Sequence, residues 1–185
     1  MNTIESGYAQ SEFDDATIVC IDGEGELESI SVWTAQGSDL EKVYAQQFPH
    51  SVGMWYSAME ERIGLDPNRT TLLELSDYGD PNRLFLDVLH DFIATIGCGW
   101  NPCTEIKHDL RNGCMWWHPE LFTEQDLLDI AAATQQVYIY ILQNIVAWSK
   151  MHLPSRNLVL EGLHPLREAD AINLYQFYNQ IYITR

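Results

Sequence analysis

The longest apolar pattern in the chain begins at Thr123 and continues to about His152, shortly before Pro154. The sequence Thr123-Glu-Gln-Asp126 resembles a capping box, in which two side chains satisfy backbone N–H groups at the start of a helix. Beyond it, apolar residues fill one helical stripe and much of the opposite side. A helix that is apolar nearly all round is usually buried. The segment therefore predicts a long central helix, around which the rest of the chain must pack.

The strongest β-strand signal lies near the start of the chain. Residues 16–21 are apolar and largely β-branched, and residues 27–34 alternate between two faces. The glycine- and acid-rich residues 22–26 between them predict the turn of a β-hairpin. Residues 1–15 are polar and predict a flexible acidic arm, so that residues 16–185 form a single domain.

The remaining segments predict the fold class. Helices are expected at 38–47, 52–63, 80–97 and 168–183, and short strands at 70–75 and 157–160. This order favours an α+β fold. We expect a small antiparallel sheet, made of the hairpin and one or two short strands, covered by four to five helices of which one is long and central.

Net charge is the most unusual property of the composition. The chain carries 27 acidic and 10 basic residues, a formal charge of −17. Residues 1–93 contain 18 of the acidic residues and only 4 of the basic ones. Such a surface repels nucleic acid and anionic membranes and attracts basic proteins. The charge therefore predicts a basic partner, which would itself be a nucleic-acid-binding protein. The alternative is that the acidic residues only keep the protein soluble or reflect a salty habitat.

The acidic residues of the hairpin turn fall at every second position. If the segment were extended, their side chains would share one side at intervals of roughly 6–7 Å and could imitate a phosphate backbone. Gly23 and Gly25 interrupt strict extension, which favours an ordinary solvated turn instead. With the acids that flank the hairpin and two adjacent tryptophans, the predicted partner-binding residues are Asp14, Asp15, Asp22, Glu24, Glu26, Glu28, Asp39, Glu41, Trp116 and Trp117.

These features predict an acidic binding protein rather than an enzyme. The leading hypothesis is a nucleic-acid mimic, of the anti-restriction or anti-CRISPR kind, that occludes the basic groove of a nucleic-acid-handling protein. An immunity-type inhibitor of a basic toxin is the alternative within the same class. The chain contains no GxxxxGK[ST], HExxH or GxSxG motif that would indicate catalysis.

A cysteine- and histidine-rich segment leaves a second class of function open. Its spacing is Cys98-x4-Cys103-x4-His108-x5-Cys114-x3-His118. Thiolates and imidazoles at such separations can hold structural zinc, and the candidate ligands are Cys98, Cys103, Cys114 and His118. Cys114 with His118, or Cys103 with His108, could instead provide the nucleophile and base of a small enzyme, and inert core thiols are the third alternative. No cofactor other than this zinc is expected.

The aromatic residues and the chain start complete the predictions. Trp116 and Trp117 lie in an irregular segment and are expected to contact a partner or the second copy of a homodimer. Residues 1–15 have neither a basic start nor an apolar stretch, so a secretory signal is not expected. Residues 130–149 contain too many polar side chains to predict a membrane span. The expected location is therefore the cytoplasm, with reduced thiols.

Overall fold

The computed structural model describes residues 3–22, 28–66, 68–96, 102–162 and 165–184. The described residues form six α-helices and seven strands. The helices are α1 Thr3–Ser11, α2 Val52–Arg62, α3 Leu72–Leu75, α4 Pro81–Phe92, α5 Glu124–His152 and α6 Glu168–Ile172. The strands are β1 Asp15–Ile21, β2 Glu28–Gln36, β3 Asp39–Gln47, β4 Ile93–Ile96, β5 Thr104–Ile106, β6 Asn157–Gly162 and β7 Gln180–Ile183.

Five strands form one mixed sheet in the order β3-β2-β1-β6-β7. The strands β1, β2 and β3 make an antiparallel meander, whereas β6 runs parallel to β1 and β7 runs parallel to β6. The predicted α+β class is confirmed, and so is the hairpin. The sheet is larger than predicted and is mixed rather than antiparallel, because strands distant in sequence add to the free edge of the hairpin.

The main core lies between one face of the sheet and the long helix α5. Val19, Val32 and Leu160 project from the sheet and are buried with Ile141 and Tyr138 of α5. The helices α2 and α4 pack on the other sides of α5. The predicted long, central helix is therefore confirmed, and its Thr123–Asp126 capping box is present.

The other face of the sheet carries α1. Ile4 and Tyr8 of this helix are buried against Ile18, Ala35 and Val159 of three neighbouring strands. The flexible arm expected at 1–15 is therefore wrong for residues 3–11, because two apolar side chains four residues apart give this short helix an inward face.

Four other local expectations are wrong. The helix expected at 80–97 ends at Phe92, and residues 93–96 form β4 instead. Residues 39–47 form the edge strand β3 instead of a helix, and residues 72–75 form α3, which starts at a capping box, instead of a strand. In the segment expected to be a last helix, only residues 168–172 are α-helical and residues 180–183 join the sheet as β7. In each case tertiary contacts overrode the local pattern, because the strands pair with neighbours in a sheet and α3 packs on α5.

Candidate functional site

The parallel strands β1, β6 and β7 end at the same edge of the sheet. Asp22 directly follows β1, Gly162 closes β6, and Thr184 directly follows β7. The backbone N–H of Thr184 donates to the carbonyl oxygen of Leu160 at 3.0 Å, which extends the parallel pairing to the edge itself. Open sheets with parallel strands bind ligands in the crevice outside the carboxyl ends of those strands. We call this edge the carboxyl edge and take it as the candidate site.

Gly162 brings the ends of β1 and β6 unusually close together. A Cβ atom at this position would lie 2.2 Å from the carbonyl oxygen of Ile21, and the residue has φ +89. Both observations require glycine, since other residues would collide and would be strained at this φ. The residue therefore sets the geometry of the edge, although it carries no reactive group.

A cavity of about 740 Å³ opens beside the ends of β6 and β7. Its size lies within the range of small-molecule sites. Most of its wall is apolar, and Tyr175 and Ile172 are at the same time exposed to solvent. The lining residues are Gly162, Pro165, Leu166, Arg167, Glu168, Ala171, Ile172, Tyr175, Ile181, Ile183 and Thr184.

The wall of the cavity is anchored by Arg167, the residue that precedes α6. Its guanidinium donates to the carbonyl oxygen of Leu73 at 2.8 Å and to the hydroxyl of Ser76, and it pairs with Asp77 at 2.9 Å. A weaker contact of 3.5 Å joins it to Asp170. With these acceptors around it, Arg167 serves to fix α6 on the body of the domain. The cavity is therefore mainly an apolar surface and not an anion site.

A second anchor holds Pro165, which lines the cavity two residues before Arg167. The side chain of Gln135, buried in α5, donates from Nε2 to the carbonyl oxygen of Pro165 at 2.7 Å. The hydroxyl of Tyr56 in turn donates to Oε1 of Gln135 at 2.8 Å. This relay connects the cavity rim to α5 and α2, so the lining is held by the core of the domain.

Glu161 lies one residue before Gly162. Its side chain lies on the face of the sheet that carries α1, opposite to the main core. Its side chain is buried, and a Cβ on Gly7 of α1 would lie 1.8 Å from its Oε2. Burial raises the pKa of this carboxyl group, while a hydrogen bond from Thr184 acts in the opposite direction. Cys20 of β1 is the register partner of Glu161. Burial raises the pKa of the Cys20 thiol to about 12, and the neighbouring Glu161 carboxylate raises it further.

The predicted partner-binding acids do not gather on one surface. Asp14, Asp15, Asp39 and Glu41 lie toward the end of the meander where β1 begins, whereas Asp22 and Glu28 lie at the carboxyl edge. The seven residues of β1 separate the two groups by roughly 20 Å. Glu28 is paired with Lys42 at 2.6 Å. Glu24 and Glu26 lie outside the described residues.

The two tryptophan side chains that were predicted to contact a partner differ in exposure to solvent. Trp116 is 54% exposed and packs against the rings of Phe92 and His108. Trp117 is only 2% exposed, and its Nε1 donates to Oδ2 of Asp91 at 2.9 Å. Trp117 therefore belongs to the core, and the expectation that it offers a contact surface is wrong.

Of the predicted metal ligands and nucleophiles, the structure describes Cys103, which is half-buried, Cys114 and His118. Cys98 lies outside the described residues. Cys114 is fully buried, its Sγ donates to the carbonyl oxygen of Ala58 at 3.2 Å, and burial raises the pKa of its thiol to about 11. His118 instead contacts Glu120, with Nδ1 and Oε1 separated by 2.7 Å. Within the described part of the chain, no three histidine, cysteine or acidic side chains are placed to hold a metal ion.

Comparison with known proteins identifies the family. The family described as Carbamoyltransferase N-terminus matches residues 1–162. The chain belongs to this family. A protein of Synechocystis sp., named "Uncharacterized protein sll1178", is 39% identical over 93 residues. The matched stretch covers 48% of this chain and 15% of that relative, so the chain spans only a small part of the relative's length.

The family overturns the function that the charge pattern predicted. A member of the carbamoyltransferase N-terminus family is related to enzymes, so the interpretations as a nucleic-acid mimic and as an immunity-type inhibitor are wrong. The acidic composition misled because net charge reports on solubility and association and not on fold or chemistry. Among the described helices, none combines the length and the apolar character that crossing a bilayer requires.

Sequence reasoning missed Gly162, Arg167 and the cavity between them. The strand at 157–160 was predicted, but its parallel neighbour lies about 140 residues earlier in the chain, and no local pattern indicates that pairing. A glycine that directly follows an apolar strand was the available signal, because such glycines often mark a close approach of backbone.

Proposed function

We propose that this chain is the part of a carbamoyl-transferring enzyme that binds a substrate at the carboxyl edge of its mixed sheet. The observation that carries the proposal is the cavity of about 740 Å³ at that edge, in a chain whose family is described as a carbamoyltransferase N-terminus. In a carbamoyl transfer, a nucleophilic atom of the acceptor attacks the carbamoyl carbon, the bond to the donor's leaving group breaks, and the acceptor loses a proton.

The lining of the cavity favours the acceptor, or its carbamoylated product, over an anionic donor. Ile172, Ile181 and Ile183 supply apolar contact area, and Tyr175 adds an aromatic ring. Arg167 is directed to Leu73, Ser76 and Asp77, and Glu168 would repel an anion. A neutral ligand with an apolar body therefore matches this wall best.

The described thiols support direct transfer rather than a covalent carrier. Burial raises the pKa of Cys20 to about 12 and that of Cys114 to about 11, and it also raises the pKa of Cys103. The thiolate is the nucleophilic form of cysteine. The raised pKa values therefore leave little thiolate at these side chains to attack a carbamoyl donor.

The test is a titration followed by backbone amide NMR shifts, with benzyl carbamate as a neutral product analogue and carbamoyl phosphate as an anionic donor. Benzyl carbamate is expected to shift the amides of residues 166–172 and 181–184. An Ala171→Phe variant, which places a ring in the cavity, is expected to weaken this binding at least 10-fold.

The matched control is Ala94→Phe, which adds the same ring at an exposed position of β4, outside the residues that line the cavity. It should leave the affinity for benzyl carbamate unchanged. The proposal fails if benzyl carbamate does not shift the cavity amides, if carbamoyl phosphate alone shifts them, or if both phenylalanine variants bind the carbamate as the unaltered chain does. Thermal melts of all variants would identify any loss of binding that arises from unfolding.

A further inference from the structure

The face of the sheet that carries α1 is only partly covered by this helix. Its main contacts are with β1 and β6, and it has nine residues. Beside it, Trp33 of β2 and Leu40 of β3 border the small core under α1 and are only partly buried. An apolar sheet face is stable when another element covers it. The β2–β3 half of this face therefore offers apolar area beside α1.

Two clefts follow the side of α1 that faces β2 and β3. One, of about 330 Å³, lies at the end of the helix near Tyr8 and Phe13 and reaches Leu40. The other, of about 210 Å³, lies at its start near Ile4 and reaches Trp33. Both clefts flank this helix on the side of β2 and β3, one near each end, and together we call them the α1 trough.

The trough has an acidic rim. Glu5 and Glu12 line the first cleft, and Asp22 and Glu28 line the second. Lys42 is the one basic side chain among the residues that line the two clefts, and it is paired with Glu28. The first 50 residues of the sequence contain 10 acidic residues and this single lysine. A ligand with apolar side chains and positive flanks is complementary to this surface.

We propose that the α1 trough docks an amphipathic, lysine- or arginine-rich helix of another polypeptide. The helix would lie beside α1 and cover Trp33 and Leu40 with its apolar stripe, while its cationic side chains face the carboxylates of the rim. The nine residues of β2 span roughly 30 Å, enough for a helix of three to four turns. A second copy of this chain is a poor occupant, because two proteins of charge −17 repel each other.

The probe is a fluorescent 14-residue helical peptide with leucine at every third or fourth position and lysine elsewhere. Its twin has glutamate at each lysine position. The lysine peptide is expected to bind with a micromolar Kd at 50 mM salt and at least 10-fold more weakly at 500 mM. The glutamate twin is expected not to bind at either salt concentration.

Variants separate docking in the trough from general attraction to an acidic protein. Leu40→Asp, and the milder Leu40→Gln in case the first unfolds, are expected to weaken lysine-peptide binding at least 10-fold at 500 mM salt. Glu5→Gln with Glu12→Gln should lower the affinity at 50 mM salt about 5-fold. The control Asp87→Asn with Glu124→Gln makes the same change of charge at exposed positions of α4 and α5. It should change the affinity less than 2-fold.

Three results would overturn the proposal. The first is equal loss of binding in the two charge-neutralised pairs, which would indicate only long-range attraction. The second is unchanged binding by both Leu40 variants in a folded protein. The third is sedimentation of the chain as a dimer at low salt that dissociates when Leu40 is changed, which would identify a second copy as the occupant.

Discussion

The α-carbon of Gly162 faces the main-chain carbonyl oxygen of Ile21 at the point where two parallel strands end. A Cβ on Gly162 would lie 2.2 Å from that oxygen, and this distance is far below van der Waals contact. Ile21 ends β1 and Gly162 ends β6, so most of the chain lies between the two residues in sequence. Their contact fixes the edge beside which the candidate site opens.

We expect Gly162→Ala to lower the free energy of unfolding by about 3 kcal/mol, since the methyl group collides with backbone and φ is positive. Urea denaturation measures this change. Gly37→Ala is the matched control, because Gly37 also has positive φ, of +57, but its Cβ would meet nothing within 4 Å. It should cost only about 1 kcal/mol. Equal losses would mean that the close approach to Ile21 has no energetic role.

Arg62 connects α2 to the loop before α5. Its Nε donates to the carbonyl oxygen of Trp117 at 2.7 Å, and its Nη2 donates to those of His118 and Leu121 at 2.6 and 2.9 Å. Arg62→Met keeps the apolar stem but leaves these acceptors without this donor. It should lower the free energy of unfolding by about 3 kcal/mol, measured by urea denaturation.

The control for this change is Arg111→Met. Arg111 is exposed and pairs with Asp109 two residues away. An exposed pair of this kind contributes little to stability. A similar loss of stability in both variants would show that the three carbonyl contacts of Arg62 are not the cause.

The reactivity of two thiols, in the half-buried Cys20 and the buried Cys114, can be predicted from their raised pKa values. In a Cys98→Ser background at pH 8, iodoacetamide should modify Cys20 and Cys114 at least roughly 100-fold more slowly than a free cysteine, because raised pKa values leave little thiolate. In 6 M urea, the same side chains should react at the ordinary rate. Mass spectrometry of peptides reports each site. Rapid labelling of Cys114 in the folded chain would contradict its burial and would reopen its role as a nucleophile.

We expect the buried carboxyl group of Glu161 to make the folded chain less stable as pH rises. Burial raises the pKa of its carboxyl group above the ordinary value, so ionisation is harder in the folded than in the unfolded chain. Its contribution to stability therefore falls as pH rises from the unfolded pKa through the folded pKa.

Glu161→Gln is expected to raise the urea midpoint at pH 8 relative to the unaltered chain, with the difference disappearing near pH 4 and below. Glu105→Gln, at an exposed position of β5, is the control and should follow the unaltered chain. A Glu161→Gln curve that lies below the unaltered one at pH 8 would show instead that the ionised carboxylate stabilises the fold.

How much of this could be read in the sequence depended on how local each signal was. The long helix was predictable because the Thr123 capping box, the apolar pattern and Pro154 act within one segment. The edge strand β3 was not, since Ser38 resembled a helix cap but lies in the tight turn after Gly37, where φ is +57. What decides the strand is its pairing with β2, for which the two-residue loop Gly37-Ser38 was the local signal.

The site was harder to predict than the fold for the same reason. Its cavity is built by Gly162 and by Arg167, whose partners Leu73 and Asp77 lie about 90 residues earlier. Conversely, the acids predicted to bind a partner fall into two groups, since Asp22 and Glu28 lie at the carboxyl edge whereas the acids flanking the hairpin lie at the other end of β1. A repeated residue type was therefore a weaker guide to function than a single glycine after a buried strand.

Asp126 links the start of α5 to α4 through two strong acceptor contacts. The hydroxyl of Thr123 donates to Oδ2 at 2.6 Å, and Nη2 of Arg83 lies 2.6 Å from Oδ1. These two hydrogen bonds lower the pKa of Asp126 to about 2, and the one from Thr123 has the larger effect. A carboxyl group whose pKa is lowered by folding adds stability above its unfolded pKa, and this contribution is lost as pH falls through the folded value.

We therefore expect the urea midpoint of the unaltered chain to fall more steeply between pH 4 and pH 2 than that of Asp126→Asn. Other acids, such as Asp109, titrate in both proteins, so the difference between the two curves isolates Asp126. Asp87→Asn makes the same substitution at an exposed position of α4 and should follow the unaltered chain. Parallel curves for the unaltered chain and Asp126→Asn would mean that the Arg83 and Thr123 contacts do not hold this carboxylate in solution.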